Sequence, residues 1–309
     1  MTNKKETLKL RKEEEQLMTQ WKSHSQTFAK IDLPSFKIAE NFLRMSARGF
    51  SHLTILQSEG GLGKSMCTTA ILTEEKIDWE YRNSKVTPLA LYKYLYECQK
   101  KYNGKRYVVI LDDVIKLLDD EVIIGMLQGA TWEVNGKRMV TYTSTSKQAT
   151  DVPQFFEFTG EIVILTNFVK LNEYVKALIT RGNYYHLSFT YKEKMKLLEE
   201  VAKLPYKTLD LAQRNVCLSR LKHYASPLSK DLNVRTLIKT FNFHLFNPLM
   251  VDEMLKGTIN DDKNLSSVKK CIELFDKDIE MQKKYFNELT GLQKSSYFHY
   301  KKKYMEALR

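Results

Sequence analysis

The residues best equipped for chemistry stand in two short strings. The first is Ser58-Glu59-Gly60-Gly61-Leu62-Gly63-Lys64-Ser65, which follows the apolar run Leu53-Thr54-Ile55-Leu56 and precedes a helix-compatible run from Met66 to Leu72. Strand, glycine-rich turn and helix is the setting in which a Gly-Lys-Ser string cradles phosphate. Glycines let successive backbone N–H groups turn inward around phosphate oxygens without Cβ clashes. The helix opening at the loop adds the positive end of its dipole. In that arrangement Lys64 reaches the β- and γ-phosphates and the Ser65 hydroxyl holds Mg²⁺. The usual pattern asks for glycine five residues before Gly63, and this chain has Ser58 there. Serine takes turn conformations and hydrogen-bonds locally, so the variant is tolerable. The plain alternative is a glycine-rich turn with Lys64 in solvent.

The second string is Tyr107-Val108-Val109-Ile110-Leu111-Asp112-Asp113. A continuous apolar run of this length predicts a buried parallel strand. Its two carboxylates fall at the C-terminal end, where open α/β sheets bind ligands. Asp112 is placed to hold Mg²⁺ through its water shell, and Asp113 to act as the base that activates water. Glutamate is usual at the second position, and aspartate is one methylene shorter, which suits slow hydrolysis or a water relay. Capping of the helix near Val114 is the alternative role for both acids. The Gly-Lys-Ser loop upstream favours the chemical one.

The elements that must position these strings follow from periodicity. Ile38, Phe42, Leu43 and Met45 predict a helix that stops at Gly49. Lys76 to Arg82 suits a second strand, and Pro88 opens a helix with Leu89, Leu91, Tyr92, Leu95 and Cys98 on one stripe. Val122 to Ala130 predicts a helix, and Thr131 to Tyr142, turning at Asn135-Gly136, a β-hairpin. Lys137 and Arg138 then form a basic tip that could contact nucleic acid. Ser144 to Pro153 reads as a loop. Glu161 to Asn167 is another apolar strand, ending in Asn167, a candidate for orienting the attacking water. A helix from Leu171 to Thr180 ends at Arg181-Gly182, and Tyr184 to Phe189 is a fifth strand. Beyond Tyr191 the strand signal vanishes, and helices are expected over 192–204, 209–224, 234–243, 249–255 and 265–289. The tail from Lys294 interleaves basic residues with Tyr297, Phe298, Tyr300 and Tyr304. Both a polyanion contact and a packed terminal helix fit that composition.

Composition bounds the partners. A chain of 309 residues with 43% hydrophobic and 28% charged residues has the make-up of a water-soluble protein of about two domains. No apolar run approaches the roughly 18 residues of a membrane span. The polar N-terminus, Met1 to Lys12, lacks a secretory apolar region. Cys67, Cys98, Cys217 and Cys271 form no metal-binding or disulfide spacing, which suits a cytoplasmic protein. A formal charge of +12 favours a polyanion such as nucleic acid, or lysines spread evenly over the surface.

In order, these motifs resemble the AAA+ P-loop ATPases over about residues 45–245. Residues 58–65 correspond to Walker A, 107–113 to Walker B, Asn167 to sensor 1, Arg181 to an arginine finger before the fifth strand, and Leu232 to Leu237 to a sensor-2 helix with Arg235 as the lid arginine. The resemblance implies an α/β fold: a parallel five-stranded sheet of order 5-1-4-3-2 with helices on both faces, then an all-helical lid. It implies a nucleotide set of Gly60, Gly61, Leu62, Gly63, Lys64, Ser65 and Met66, metal ligation by Ser65 and Asp112, and ATP with Mg²⁺. Catalytic roles fall to Asp113, Asn167, Arg181 and Arg235, with Arg181 reaching a neighbouring subunit of a homo-oligomer. The expected domains are an N-terminal helical arm (1–44), the ATPase core (45–190), the lid (191–247) and a basic helical extension (248–309). The lead-in Phe155 to Glu161 and the hairpin before it resemble phage-, virus- and plasmid-encoded replication ATPases. The expected function is an oligomeric motor acting on DNA, of helicase type. The alternative is a loader that uses its ATP state to grip a replication partner protein. A protein unfoldase fits less well, because no aromatic-glycine pore loop precedes Walker B.

Overall fold

The computed structural model describes residues 33–83, 85–114, 117–143 and 152–308. The expected N-terminal arm up to residue 32, and the loop over 144–151, lie outside them. The chain divides into two compact units with the boundary between Ser188 and Phe189.

The first unit begins with α1 (Pro34–Ala47), which starts on a proline and buries Phe36, Ala39, Leu43 and Ala47 at helical spacing. Gly49 ends it in the left-handed region, at φ 78°. Then follow β1 (Leu53–Gln57), α2 (Lys64–Glu74), β2 (Asp78–Asn83), α3 (Pro88–Tyr102), β3 (Tyr107–Asp112), α4 (Glu121–Thr131), β4 (Met139–Thr141), β5 (Phe155–Glu157), β6 (Glu161–Thr166), α5 (Glu173–Ile179) and β7 (Asn183–His186). Five strands form one parallel sheet in the order β2-β3-β6-β1-β7. Counting only its own strands in chain order, this is the expected 5-1-4-3-2 arrangement seen from the other edge. β3 is buried along its whole length and β6 over all but its last residue, because helices cover both faces. The C-terminal ends of α1 and α2 are stapled: Arg44 bonds both Glu74 (2.9 Å) and Glu75, and Arg48 bonds Glu75 at 2.9 Å.

The hairpin is corrected by the structure. α4 runs on through Thr131, whose hydroxyl donates to the Leu127 carbonyl at 2.7 Å. Asn135 and Gly136 do adopt positive φ, 53° and 74°, as a tight turn needs, but the turn closes only the Val134–Lys137 bridge. β4 pairs instead with β5, which sets Val140 beside Phe156. Gly129 lets α4 lie against this pair, since a Cβ there would come 2.4 Å from the Met139 carbonyl oxygen. The basic tip is also half lost. Lys137 is exposed and pairs with Glu157 at 3.2 Å. Arg138 is only 6% exposed and turns inward, donating to the carbonyls of Ala130 (3.1 Å) and Gly160 (2.7 Å) and lying 3.4 Å from Glu161. It ties α4 to the start of β6 and is unavailable to nucleic acid.

The second unit is helical: α6 (Tyr191–Lys203), α7 (Leu211–Tyr224), α8 (Val234–Phe246), α9 (Val251–Thr258), α10 (Lys263–Phe275), α11 (Ile279–Thr290) and α12 (Ser296–Ala307). Capping boxes start α6 (Thr190 with Glu193) and α7 (Asp210 with Gln213). α6 to α9 pack on one another. α9 packs on α7 and α8, and Asp262 N–H donates to the Leu228 carbonyl at 2.8 Å. The single helix expected over 265–289 is two. Asp276 takes φ 34°, which no helix continues, and Asp278 restarts the chain by capping Met281 N–H at 3.0 Å.

Arg138→Met should lower stability by about 3 kcal/mol, because it strands the buried Glu161 carboxylate and two carbonyls; urea unfolding measures it, and DNA affinity should not change. The staple gives a pH dependence. Hydrogen bonding from Arg48, the largest effect, outweighs burial and, with the bond from Arg44 and both guanidinium charges, holds the Glu75 carboxyl down to about 2 from its ordinary 4.5. A depressed carboxyl stabilises above its unfolded value and loses that contribution as pH falls through the folded one. Stability should thus fall between pH 4.5 and 2, and Glu75→Gln should flatten that part of an acid titration followed by circular dichroism.

Candidate functional site

The loop between β1 and α2 sits at the C-terminal edge of the sheet. Gly61 (φ 77°) and Gly63 (φ 82°) take left-handed conformations that side chains resist. Gly63 is the N-cap of α2, with no side-chain cap on the helix start. Backbone N–H groups at such an end suit an anion. Ser58 lies outside the left-handed region, so replacing glycine there costs no backbone strain. Its hydroxyl donates to the Glu59 carbonyl at 2.9 Å.

Lys64 is 6% exposed. Its Nζ donates to the Ser58 carbonyl and hydroxyl (both 2.9 Å), to the Glu59 carbonyl (3.1 Å) and to Asn167 Oδ1 (2.9 Å). Asn167 follows β6 and passes the contact on, its Nδ2 donating to Asp113 Oδ2 at 2.8 Å. A continuous chain of side-chain hydrogen bonds therefore joins Lys64, Asn167 and Asp113. Alongside it, the Ser65 hydroxyl donates to Asp112 Oδ2. Asp112 is buried at the end of β3, whereas Asp113 is exposed, held at φ 46° with its N–H on the Leu165 carbonyl at 2.8 Å. A cavity of about 260 Å³ opens beside Asp113 and Asn167, lined also by Val114, Leu117, Leu118 and Phe168.

The donors suit Mg²⁺. Ser65 and Asp112 present hard oxygens side by side at the mouth of a phosphate-type loop, and Mg²⁺ takes one or two protein oxygens together with substrate phosphates and waters. Sequence reasoning missed Tyr81. From mid-β2 its hydroxyl donates to the same Asp112 Oδ2 at 2.5 Å. Burial, and then this bond, push its ionisation above the usual tyrosine range, so it stays a donor. The one available signal was its place on the strand neighbouring β3, which pairs Tyr81 with Ile110, two residues before Asp112.

Arg181 lies elsewhere on the unit. Gly182 abuts the start of β1, where a Cβ would come 2.4 Å from the Leu53 carbonyl oxygen, and the guanidinium lies 5.8 Å from the Trp132 ring centroid. Strands rise about 3.3 Å per residue, so the five residues of β1 put Arg181 roughly 15 Å from the loop of its own chain. Arg235 belongs to the second unit, exposed in the first turn of α8. Lys137 and Arg138 are not part of this cluster.

No family model and no curated protein matches the sequence. The solved structures to which this chain is similar include one described as a DNA replication initiation factor (12% identity, TM-score 0.44, 84% of this chain and 78% of that one). Another is the replication initiator DnaA bound to AMPPCP and single-stranded DNA (12%, 0.46, 88% and 89%). A third is the Thermotoga maritima RuvB Holliday junction branch migration motor (12%, 0.37, 87% and 86%). Likeness of this degree carries no inference about activity, and the description of the fold stands on strand order and loop geometry.

Tyr81→Phe removes a donor that fixes the orientation of Asp112. It should raise the Mg²⁺ concentration needed for half-maximal binding of a fluorescent nucleotide by about tenfold, as losses of outer partners do at metal sites, while leaving Mg²⁺-free nucleotide binding unchanged.

Proposed function

We propose that the chain is an ATP hydrolase of the AAA+ type that works on DNA as a homo-oligomer. The observation that carries this reading is the hydrogen-bonded chain Lys64–Asn167–Asp113 beside the Ser65–Asp112 pair, at the mouth of a glycine loop that opens a helix. A triphosphate laid along the loop brings its γ-phosphate to Lys64. Asn167 then holds a water between itself and Asp113, whose carboxylate takes the proton as the water attacks the γ-phosphorus in line. Lys64 and the loop N–H groups spread the charge that develops on the phosphoryl oxygens. Ser65 and Asp112 would hold Mg²⁺, which would supply charge neutralisation to the phosphates.

Arg181 enters from another subunit. It lies at the opposite end of the strands from its own loop, which supports a role toward a neighbour's phosphates rather than its own. Arg235 is the lid arginine of this reading. The formal charge of +12 supports DNA as the polyanion, with exposed Lys137 one contact and Arg138 none. A helicase-like role in replicating a mobile element or virus is the form of this activity we favour.

Steady-state ATP turnover measured across protein concentration, with and without DNA, tests the reading. Turnover per chain should rise with concentration and rise further with DNA. Lys64→Ala should abolish nucleotide binding, and Asp113→Asn should trap bound ATP. Arg181→Ala should keep nucleotide binding and lose about a thousandfold in assembled turnover. Turnover independent of concentration and unchanged in Arg181→Ala would refute the finger. Turnover and assembly both indifferent to DNA would favour a loader that grips a partner protein.

A further inference from the structure

Trp132 stands at the C-terminal end of α4 with 55% of its surface open. A lone exposed aromatic is ordinary, but the backbone around this one is firmly tied. The Trp132 N–H closes the last turn of α4 on the Gln128 carbonyl at 3.1 Å. Two residues earlier, the Ala130 carbonyl accepts from buried Arg138 at 3.1 Å. One residue later, the Glu133 carboxylate lies 3.3 Å from His52 Nε2, and His52 Nδ1 lies 2.8 Å from Glu161. The indole is therefore carried on backbone anchored to the starts of β1 and β6.

Arg181 reaches the same place from the end of α5, which packs beside α4. Its backbone is fixed too. Its N–H donates to the Leu178 carbonyl at 3.0 Å, and Gly182 is flush against Leu53. Its long side chain is held differently. Among the described residues no carboxylate pairs with it, and Nη1 makes only a long bond of 3.5 Å to the Ala177 carbonyl. The guanidinium carbon lies over the Trp132 ring, 5.8 Å from its centroid, within the range of a cation–π contact.

The kind of partner matters. A carboxylate orients a guanidinium by taking up its N–H donors and offsetting its charge, as Glu75 does for Arg48. An aromatic face engages the flat side of the group and leaves the N–H edge and the charge for a phosphate.

We propose that Trp132 is a positioning residue for Arg181, holding the guanidinium over its ring before assembly so that the free N–H edge meets the γ-phosphate bound to a neighbouring chain. This rests on the reading of Arg181 as a finger. Order already present before the contact forms is not lost as charge develops, so the ring acts on turnover and not on nucleotide affinity.

Full-length Trp132→Leu, Trp132→Phe and Arg181→Ala should be compared with wild type at a concentration where turnover per chain has levelled off. Trp132→Leu should lower kcat about fivefold, as loss of an exposed cation–π contact does, with KM for ATP unchanged. Trp132→Phe keeps an aromatic face and should recover most of that loss. In an Arg181→Ala background Trp132→Leu should lower turnover no further, because the group it positions is gone. The ring is exposed, so thermal and assembly midpoints should not move. A second readout needs no turnover. Acrylamide quenching of the Trp132 emission, isolated by subtracting that of Trp132→Phe, should rise in unassembled Arg181→Ala. Wild-type turnover in Arg181→Ala would refute the finger and the inference together. Loss of turnover in Arg181→Ala with wild-type or faster turnover in Trp132→Leu would leave the finger standing and overturn the role of Trp132. An equal loss from Trp132→Leu with and without Arg181, a loss that tracks a shifted assembly midpoint, or unchanged quenching would also overturn it.

Discussion

A buried ammonium group organises the first unit. Lys64 carries a full charge in a place almost closed to water, and such a charge is tolerable only where oxygens surround it. Two carbonyls, a hydroxyl and an amide oxygen do so, drawn from the end of β1 and from the residue after β6. The parallel pairing of β1 with β6 is what brings them within reach. Slipping that register by one residue would carry Asn167 away from Lys64 and break its link to Asp113. The sheet is thus held in place by its apolar faces and checked for register by one cation.

Much of this was legible in the sequence because it depends on backbone conformation that few residues accept. The glycines at 61 and 63 and the two apolar strands marked the loop and its partners, and strand order was implied only by the resemblance they carry. What failed to show depends on direction rather than type. Arg138 has the same formula inside or outside, and only the pairing of β4 with β5 turns it toward Glu161. The Asn135-Gly136 turn was visible, but it closes only the Val134–Lys137 bridge, and β4 takes β5 as its partner instead. Tyr81 looked like an ordinary aromatic of a half-buried strand until β2 lay beside β3.

The second unit shows the same limit. Periodicity carries straight across Asp276 and Lys277, so α10 and α11 read as one helix. The break comes from a single backbone angle and a cap at Asp278, and from Gln282, whose amide donates to the Asp276 carbonyl. With an unbroken helix there the core in which Phe286 and Tyr297 are buried could not form, and the tail would have no platform.

Asp113 has a separate consequence. It sits in the left-handed region at φ 46°, where aspartate costs about 1 kcal/mol and glycine nothing. Stability alone would replace it. Glycine at 113 would relax the backbone but remove the carboxylate that accepts from Asn167 Nδ2, so the chain of bonds that starts at Lys64 would end at Asn167.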